Sequence, residues 1–253
     1  MSIILEAHRG VSNEYPENTL SALRAAKELG YGMIEVDTKV TKDDQCVLLH
    51  DHYLNRTTRN ADGSELPADS AIADWTLEEV RKLDAGIWKG EKFRGEKVPT
   101  LKEVLAFAKE AEIPLKFDNV MWRHTPEQRK AMYDAIEEMD ALKYVGFTTA
   151  KVEFIPELLE RFPKAHVHYD GVPDEENFAA LQKLLPRDQL TVWLRQHNEN
   201  TAWCKTPAVT PGLAEKVRPF ATIGLWLITR PEELAAAIEM GADLAETDGS
   251  LRP

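Results

Sequence analysis

Short apolar runs alternate along the chain with longer stretches whose apolar residues recur at helical spacing. The runs read as buried strands and the stretches as amphipathic helices, and their alternation predicts βα units around a parallel sheet or barrel. Strands are expected at residues 3–7, 33–39, 115–118, 144–148, 165–169, 190–194, 222–228 and 243–246. Helices are expected at 18–29, 101–111, 126–139, 152–162, 175–185, 211–217 and 231–240. Thr100 followed by Leu101-Lys102-Glu103 has the capping-box order, and Pro126 and Pro231 stand near first turns. Eight strands suit a closed α/β barrel of the TIM, (β/α)8, type.

One segment breaks the rhythm. Roughly sixty residues separate the second strand from Thr100, far more than an ordinary βα connection. This insertion, about residues 40–99, holds the apolar run Cys46-Val47-Leu48-Leu49, the turn-rich Asn60-Ala61-Asp62-Gly63-Ser64 and the segment Trp75-Thr76-Leu77-Glu78-Glu79-Val80. An excursion from the active end of a barrel is usually functional. No internal repeat, low-complexity tract or flexible linker interrupts the remainder, so residues 1–253 are expected to form a single barrel domain carrying that insertion.

Composition narrows the function. A net charge of −12 disfavours nucleic-acid binding by phosphate neutralisation. An anionic substrate therefore needs a local metal or arginine. Cys46 and Cys204 make neither a disulfide framework nor a zinc spacing. The N-terminus lacks the basic leader and long apolar run of a secretory signal, and no stretch approaches the ~20 apolar residues of a membrane span. A cytoplasmic protein without stable membrane insertion is the expectation.

Candidate chemistry concentrates near the ends of predicted strands, where barrel active sites gather. His8 and Arg9 follow the first strand, Glu35-x-Asp37 lies on the second, Asp118 ends the third and Trp226 falls late on the seventh. Residues two apart on a strand share a face, so Glu35 and Asp37 can aim both carboxylates at one cation. A solvated strand face or ion pairs with Lys39 are their structural alternatives. For Arg9 the alternatives are a phosphate contact and a salt bridge to Glu17 or Asp51. Asn18 and Thr19 read as the start of the first helix. His124, His166, His168 and His197 are read as structural or pocket-lining residues, since a lone histidine is more often one of these than a catalyst; His166, His168 and Asp170, alternating on one strand face, have a second metal as their alternative. His124, with Trp122 and Arg123 after the third strand, has a substrate head-group contact and a loop-surface position as equal alternatives.

Ala7-His8-Arg9-Gly10, Glu17-Asn18-Thr19, Ile34-Glu35-Val36-Asp37 and His50-Asp51-His52-Tyr53-Leu54-Asn55-Arg56-Thr57-Thr58 together resemble, in order and spacing, the motifs of the glycerophosphodiester phosphodiesterase family. Further likeness lies at residues 99–105 and 222–248, including Trp226, Gly241-Ala242-Asp243 and Thr247-Asp248. The resemblance implies metal-dependent hydrolysis of a small-molecule glycerophosphodiester to glycerol 3-phosphate and an alcohol. His8 and His50 are the implied acid/base pair, Glu35, Asp37 and Asp118 the ligands of one divalent cation, Mg²⁺ or Ca²⁺, and Arg9 a phosphate contact. Glu17 and Asp51 belong to the polar network that orients the histidines, and Trp226 forms a wall beside the substrate.

The chain departs from the family's Glu-x-Lys at the third strand. Lys116-Phe117-Asp118-Asn119-Val120 has aspartate where the glutamate is usual and valine where the lysine is usual. Lys116 shares the strand parity of Asp118, which makes it the expected source of the ammonium at the substrate. Alternative readings are a phospholipase D-like action on lysolipids and a catalytically silent barrel that binds a phosphoester.

Overall fold

The computed structural model describes residues 3–118, 120–196 and 206–253. His197 and Cys204 lie outside the described residues. Eight parallel strands close into a barrel: β1 (Ile4–Ala7), β2 (Met33–Val40), β4 (Leu115–Asp118), β5 (Val145–Thr149), β6 (His166–Tyr169), β7 (Leu190–Arg195), β8 (Thr222–Trp226) and β9 (Leu244–Thr247). Each pairs with the next, and β9 returns to β1 to close the ring. The expected TIM-type barrel is therefore the observed fold. A ninth strand, β3 (Cys46–Leu48), pairs antiparallel to β2 and begins the insertion.

The connecting helices are α1 (Leu20–Glu28), α2 (Leu77–Val80), α3 (Leu101–Ala111), α4 (Val120–Arg123), α5 (Pro126–Glu138), α6 (Ile155–Arg161), α7 (Glu175–Leu184), α8 (Pro211–Val217) and α9 (Pro231–Glu239). Most boundaries fall within two residues of those read from the pattern. The stretch expected as one helix from residue 152 is instead a single 3₁₀ turn, Val152–Phe154, followed by α6 with Pro156 in its first turn. Proline lacks the backbone N–H that a helix interior needs, so the α-helix proper starts there. α4, directly after β4, has no counterpart among the expected elements.

Alternation along the strands sorts apolar from polar. Ile34, Val36, Phe117, Phe147, Val167, Tyr169, Leu194 and Leu225 pack in the main core with the helices. The other parity faces inward and is largely polar: Lys116 on β4 reaches Glu6 on β1 and Glu246 on β9, and its ammonium lies 3.7 Å from the ring centre of Trp193 on β7. Contacts between opposite walls identify this as the barrel interior. Gly224 makes room for Trp193, because a Cβ there would stand 2.5 Å from the indole. The insertion carries a smaller core of its own, with Val47, Leu54, Ile72, Val80 and Val98 among its members.

Candidate active site

Two register matches build the floor of the site. Glu35 pairs with Lys116 and Asp37 with Asp118 on the adjoining strands β2 and β4, so all four side chains project inward in two successive layers. Ligand oxygens of Glu35, Asp37 and Asp118 lie within 4.8 Å of one another, the only such metal-ready group among the described residues. Glu35 and Asp37 are each only 3% exposed. Burial, and then the Asp37 charge beside it, pushes the Glu35 carboxyl well above its ordinary range. Burial works the same way on Asp37, but Arg9, His50 and Asn18 outweigh it and hold that carboxyl low. Three convergent hard oxygen donors, one of them strained by its neighbours' charge, fit a divalent cation of the Mg²⁺ or Ca²⁺ type, which would relieve that repulsion.

The turn after β1 closes one side. His8 donates its backbone N–H to Thr247 O at 2.8 Å, and the chain turns sharply with Arg9 at φ 55° and Gly10 at φ 79°. Glycine is required at residue 10, since a Cβ would meet Ala22 at 2.7 Å. This turn aims the Arg9 N–H at Glu35 Oε2, 2.8 Å away. His8 Nε2 sits 4.0 Å from Glu35 Oε2 and 3.9 Å from Glu246 Oε1. Burial lowers the His8 pKa, with Glu246 opposing that shift.

His50 comes from the base of the insertion and hydrogen-bonds through Nδ1 to Asp51 Oδ1 at 2.6 Å. Arg56 Nε donates to Asp51 Oδ2 at 2.6 Å, and the same guanidinium donates to both oxygens of Glu17 at 2.7 and 2.8 Å. Arg9 Nη1 completes the chain on Glu17 at 2.9 Å. A continuous polar bridge thus ties the insertion to the β1 turn. Burial favours a higher pKa for Asp51, but Arg56 and His50 prevail and bring it down to about 2.

Some expected placements differ. Arg9 does make the salt bridge to Glu17, and its Nε lies 3.2 Å from Asp37 without an aligned hydrogen bond. Asn18 does more than start α1, whose cap is Thr19. Its amide nitrogen donates to Asp37 Oδ2 at 2.8 Å, and its carbonyl accepts the Asp37 N–H at 3.1 Å. Lys39 bonds backbone carbonyls of Thr38 and Leu49 rather than Glu35 or Asp37.

Lys116 is 4% exposed, and its ammonium is taken by Glu246 and Glu6 below the carboxylate cluster, not presented at the opening. Strand parity correctly put it on the inner face; two carboxylates distant in sequence drew it inward. Val120, at the position where lysine was the usual residue, is buried in the core. His124 is buried against the Thr38 hydroxyl at 3.1 Å, His166 bonds Thr191 and His168 accepts from Trp193 Nε1 at 2.9 Å. These three histidines are structural in their contacts. Trp226 ends β8, partly buried, at the strand's C-terminal edge. Glu246 was missed as a site neighbour; its signal was a charged residue inside an apolar closing strand.

A closed parallel barrel with carboxylates and His8 at the C-terminal ends of its strands, and His50 brought in by the insertion, defines the class, a (β/α)8 protein with an acidic, metal-ready centre. Within that class the chain belongs to the glycerophosphoryl diester phosphodiesterase family, whose model matches residues 8–218. It is similar to a glycerophosphodiester phosphodiesterase of Caldanaerobacter subterraneus, 49% identical over 104 residues that cover 41% of this chain and 40% of that protein. The match therefore spans about two-fifths of that relative's length. The fold is shared with an Oleispira antarctica phosphodiesterase solved with the product sn-glycerol-3-phosphate, at TM-score 0.77 and 22% identity over 98% of this chain and 93% of the other. It is shared also with a glycerophosphodiester phosphodiesterase of Thermotoga maritima, at TM-score 0.69 and 23% identity over 99% and 96%.

Proposed function

We propose that this chain hydrolyses glycerophosphodiesters to glycerol 3-phosphate and an alcohol, using one divalent cation and two histidines. The observation that carries the reading is the convergence of Glu35, Asp37 and Asp118 beside His8, with His50 tied to the same turn through Asp51, Arg56, Glu17 and Arg9. Membership of the family supports the same reaction. Cleaving a phosphodiester requires neutralising its charge, activating the nucleophile and protonating the departing alkoxide.

Glu35, Asp37 and Asp118 would hold the cation, Mg²⁺ or Ca²⁺, which when bound supplies neutralisation of the phosphate oxygens. Arg9 offers Nη2 to a phosphate oxygen, since Nη1 is bonded to Glu17 and Nε faces Asp37 at 3.2 Å. One histidine accepts the proton of the attacking water as its oxygen bonds to phosphorus. The other gives a proton to the alkoxide as the phosphorus–oxygen bond breaks. His50, engaged at Nδ1 by Asp51, offers Nε2 for that transfer. Asn18, Glu17, Asp51 and Arg56 position these groups, Trp226 is assigned to the substrate wall, and Lys116 is assigned to ion pairing beneath the site instead of to the substrate.

Among the described residues no helix is long and apolar enough to cross a membrane. A small diester is favoured as substrate over a lysolipid because the structurally similar Oleispira antarctica phosphodiesterase holds sn-glycerol-3-phosphate as its product. The test is release of glycerol 3-phosphate from glycerophosphodiesters with Mg²⁺, Ca²⁺ or a chelator. Turnover is expected to vanish with chelator, and His8→Ala to slow it by roughly 10²–10⁴-fold. Turnover that survives both treatments would sink the reading.

A further inference from the structure

The rim on the β4 and β5 side of the opening carries side chains that the proposed chemistry leaves unused. After Asp118 the chain enters α4, where Val120 and Met121 pack into the core while Arg123 stays exposed and Trp122 half-buried. Arg123 places Nη1 3.6 Å from Asp118 Oδ2 and its guanidinium carbon 5.1 Å from the centre of the Trp122 ring. From the loop after β5, Lys151 brings its ammonium to 5.3 Å from the same ring and 6.0 Å from Phe154. The turn at its base is held by the Thr149 hydroxyl, which bonds both the N–H and the carbonyl of Lys151 at 3.0 Å.

Two basic side chains therefore share one indole at the edge of the carboxylate cluster, in a chain of net charge −12. Arg123 meets a carboxylate only at Asp118, whose oxygens belong to the cluster, and Lys151 has no ion pair among the described residues. Asp118, Arg123, Trp122 and Lys151 thus form a contiguous path from the cluster outward. A substituent leaving a cluster-bound phosphate on this side meets positive charge. A quaternary ammonium prefers the open face of an aromatic ring, but Trp122 already carries two cations, which would repel it.

We infer that this rim receives the alcohol part of the substrate and selects a head group bearing negative charge, a carboxylate or a second phosphate, against a cationic head such as choline. The inference rests on the hydrolase reading above and names the substrate class for the same site. The test compares kcat/KM for glycerophosphoserine, glycerophosphoglycerol phosphate and glycerophosphocholine. The first two separate a carboxylate from a second phosphate as the recognised group.

Exposed charge contacts of this kind predict roughly a fivefold to tenfold preference for an anionic head over choline, shrinking as salt is raised. Lys151→Gln and Arg123→Gln, both at exposed positions, should each lower that ratio, and the double variant should bring it near unity. Equal kcat/KM for all three diesters, or a ratio the two variants leave unchanged, would overturn the inference while leaving the hydrolase reading intact. If no diester is turned over, the hydrolase reading fails. Calorimetric binding of the same three compounds then decides the rim by itself: tighter anionic heads that loosen with Lys151→Gln uphold it, and equal binding rejects it.

Discussion

Asp51 accepts hydrogen bonds from both sides, from His50 Nδ1 and Arg56 Nε at 2.6 Å each and from Arg56 Nη2 at 3.2 Å. Its pKa falls from an ordinary 3.8 to about 2 because the hydrogen bonds from Arg56 and then His50, with the Arg56 charge, outweigh burial. A carboxyl with a depressed folded-state pKa contributes stability that is present above its unfolded value and lost as pH falls through the folded one. Asp51→Asn is therefore expected to cost about 1–2 kcal/mol near neutral pH, after allowing for partial exposure, with the difference closing between about pH 4 and pH 2. Urea unfolding of both proteins across that range checks the sign. The motif His50-Asp51 with Arg56 was visible as a string and the resemblance put Glu17 in the same polar network, but the Arg56 bond that joins them was not visible. That link spans 39 positions and exists only because the insertion folds back over the β1 turn. Asn18 illustrates the same point: its polarity suited a helix start, while its two bonds to Asp37 required β2 to lie alongside.

The helix α3 is where local sequence and local structure agree most fully. Thr100 accepts the Glu103 N–H at 3.2 Å, Glu103 accepts the Thr100 N–H at 2.8 Å, and both features follow from the order Thr-x-x-Glu. Glu103 also receives Arg81 of the insertion through two bonds, 2.8 and 2.9 Å. Thr100→Ala is expected to cost about 1 kcal/mol, seen as a lower denaturation midpoint with unchanged slope, and Thr100→Ser to recover most of it. The short helix α4 went unanticipated because four residues carry too little periodicity to register. It matters nonetheless, since it buries Val120 and sends Arg123 outward beside Asp118.

Across the whole barrel, the interior is organised around a buried charge cluster. Lys116 binds Glu6 at 3.2 Å and Glu246 more closely, with Trp193 over its ammonium and His168 behind the indole. Burial lifts Glu6 to about 8, with Lys116 opposing, whereas Lys116 and His8 overcome burial at Glu246 and keep it low. Lys116→Met would leave Glu6 and Glu246 in the interior without their ammonium partner and is expected to destabilise the fold by about 3–5 kcal/mol. Replacing Glu6, Lys116 and Glu246 together by apolar residues of similar size should restore most of the loss. Thermal and urea unfolding of the single and triple variants distinguish a charge effect from a packing effect.

The order of strands and helices, the barrel they close, the helix cap at Thr100 and the shared face of Glu35 and Asp37 were all determined by the sequence alone. Each depends on spacing within a few residues, or on a repeating rhythm that a linear chain displays. Tertiary structure alone decided which charges meet. The ammonium of Lys116 lies between carboxylates 110 and 130 positions away, and Val120 became core while Arg123 became rim. Parity assigns a side chain to a face of its strand; only the closed barrel determines which opposite wall that face confronts.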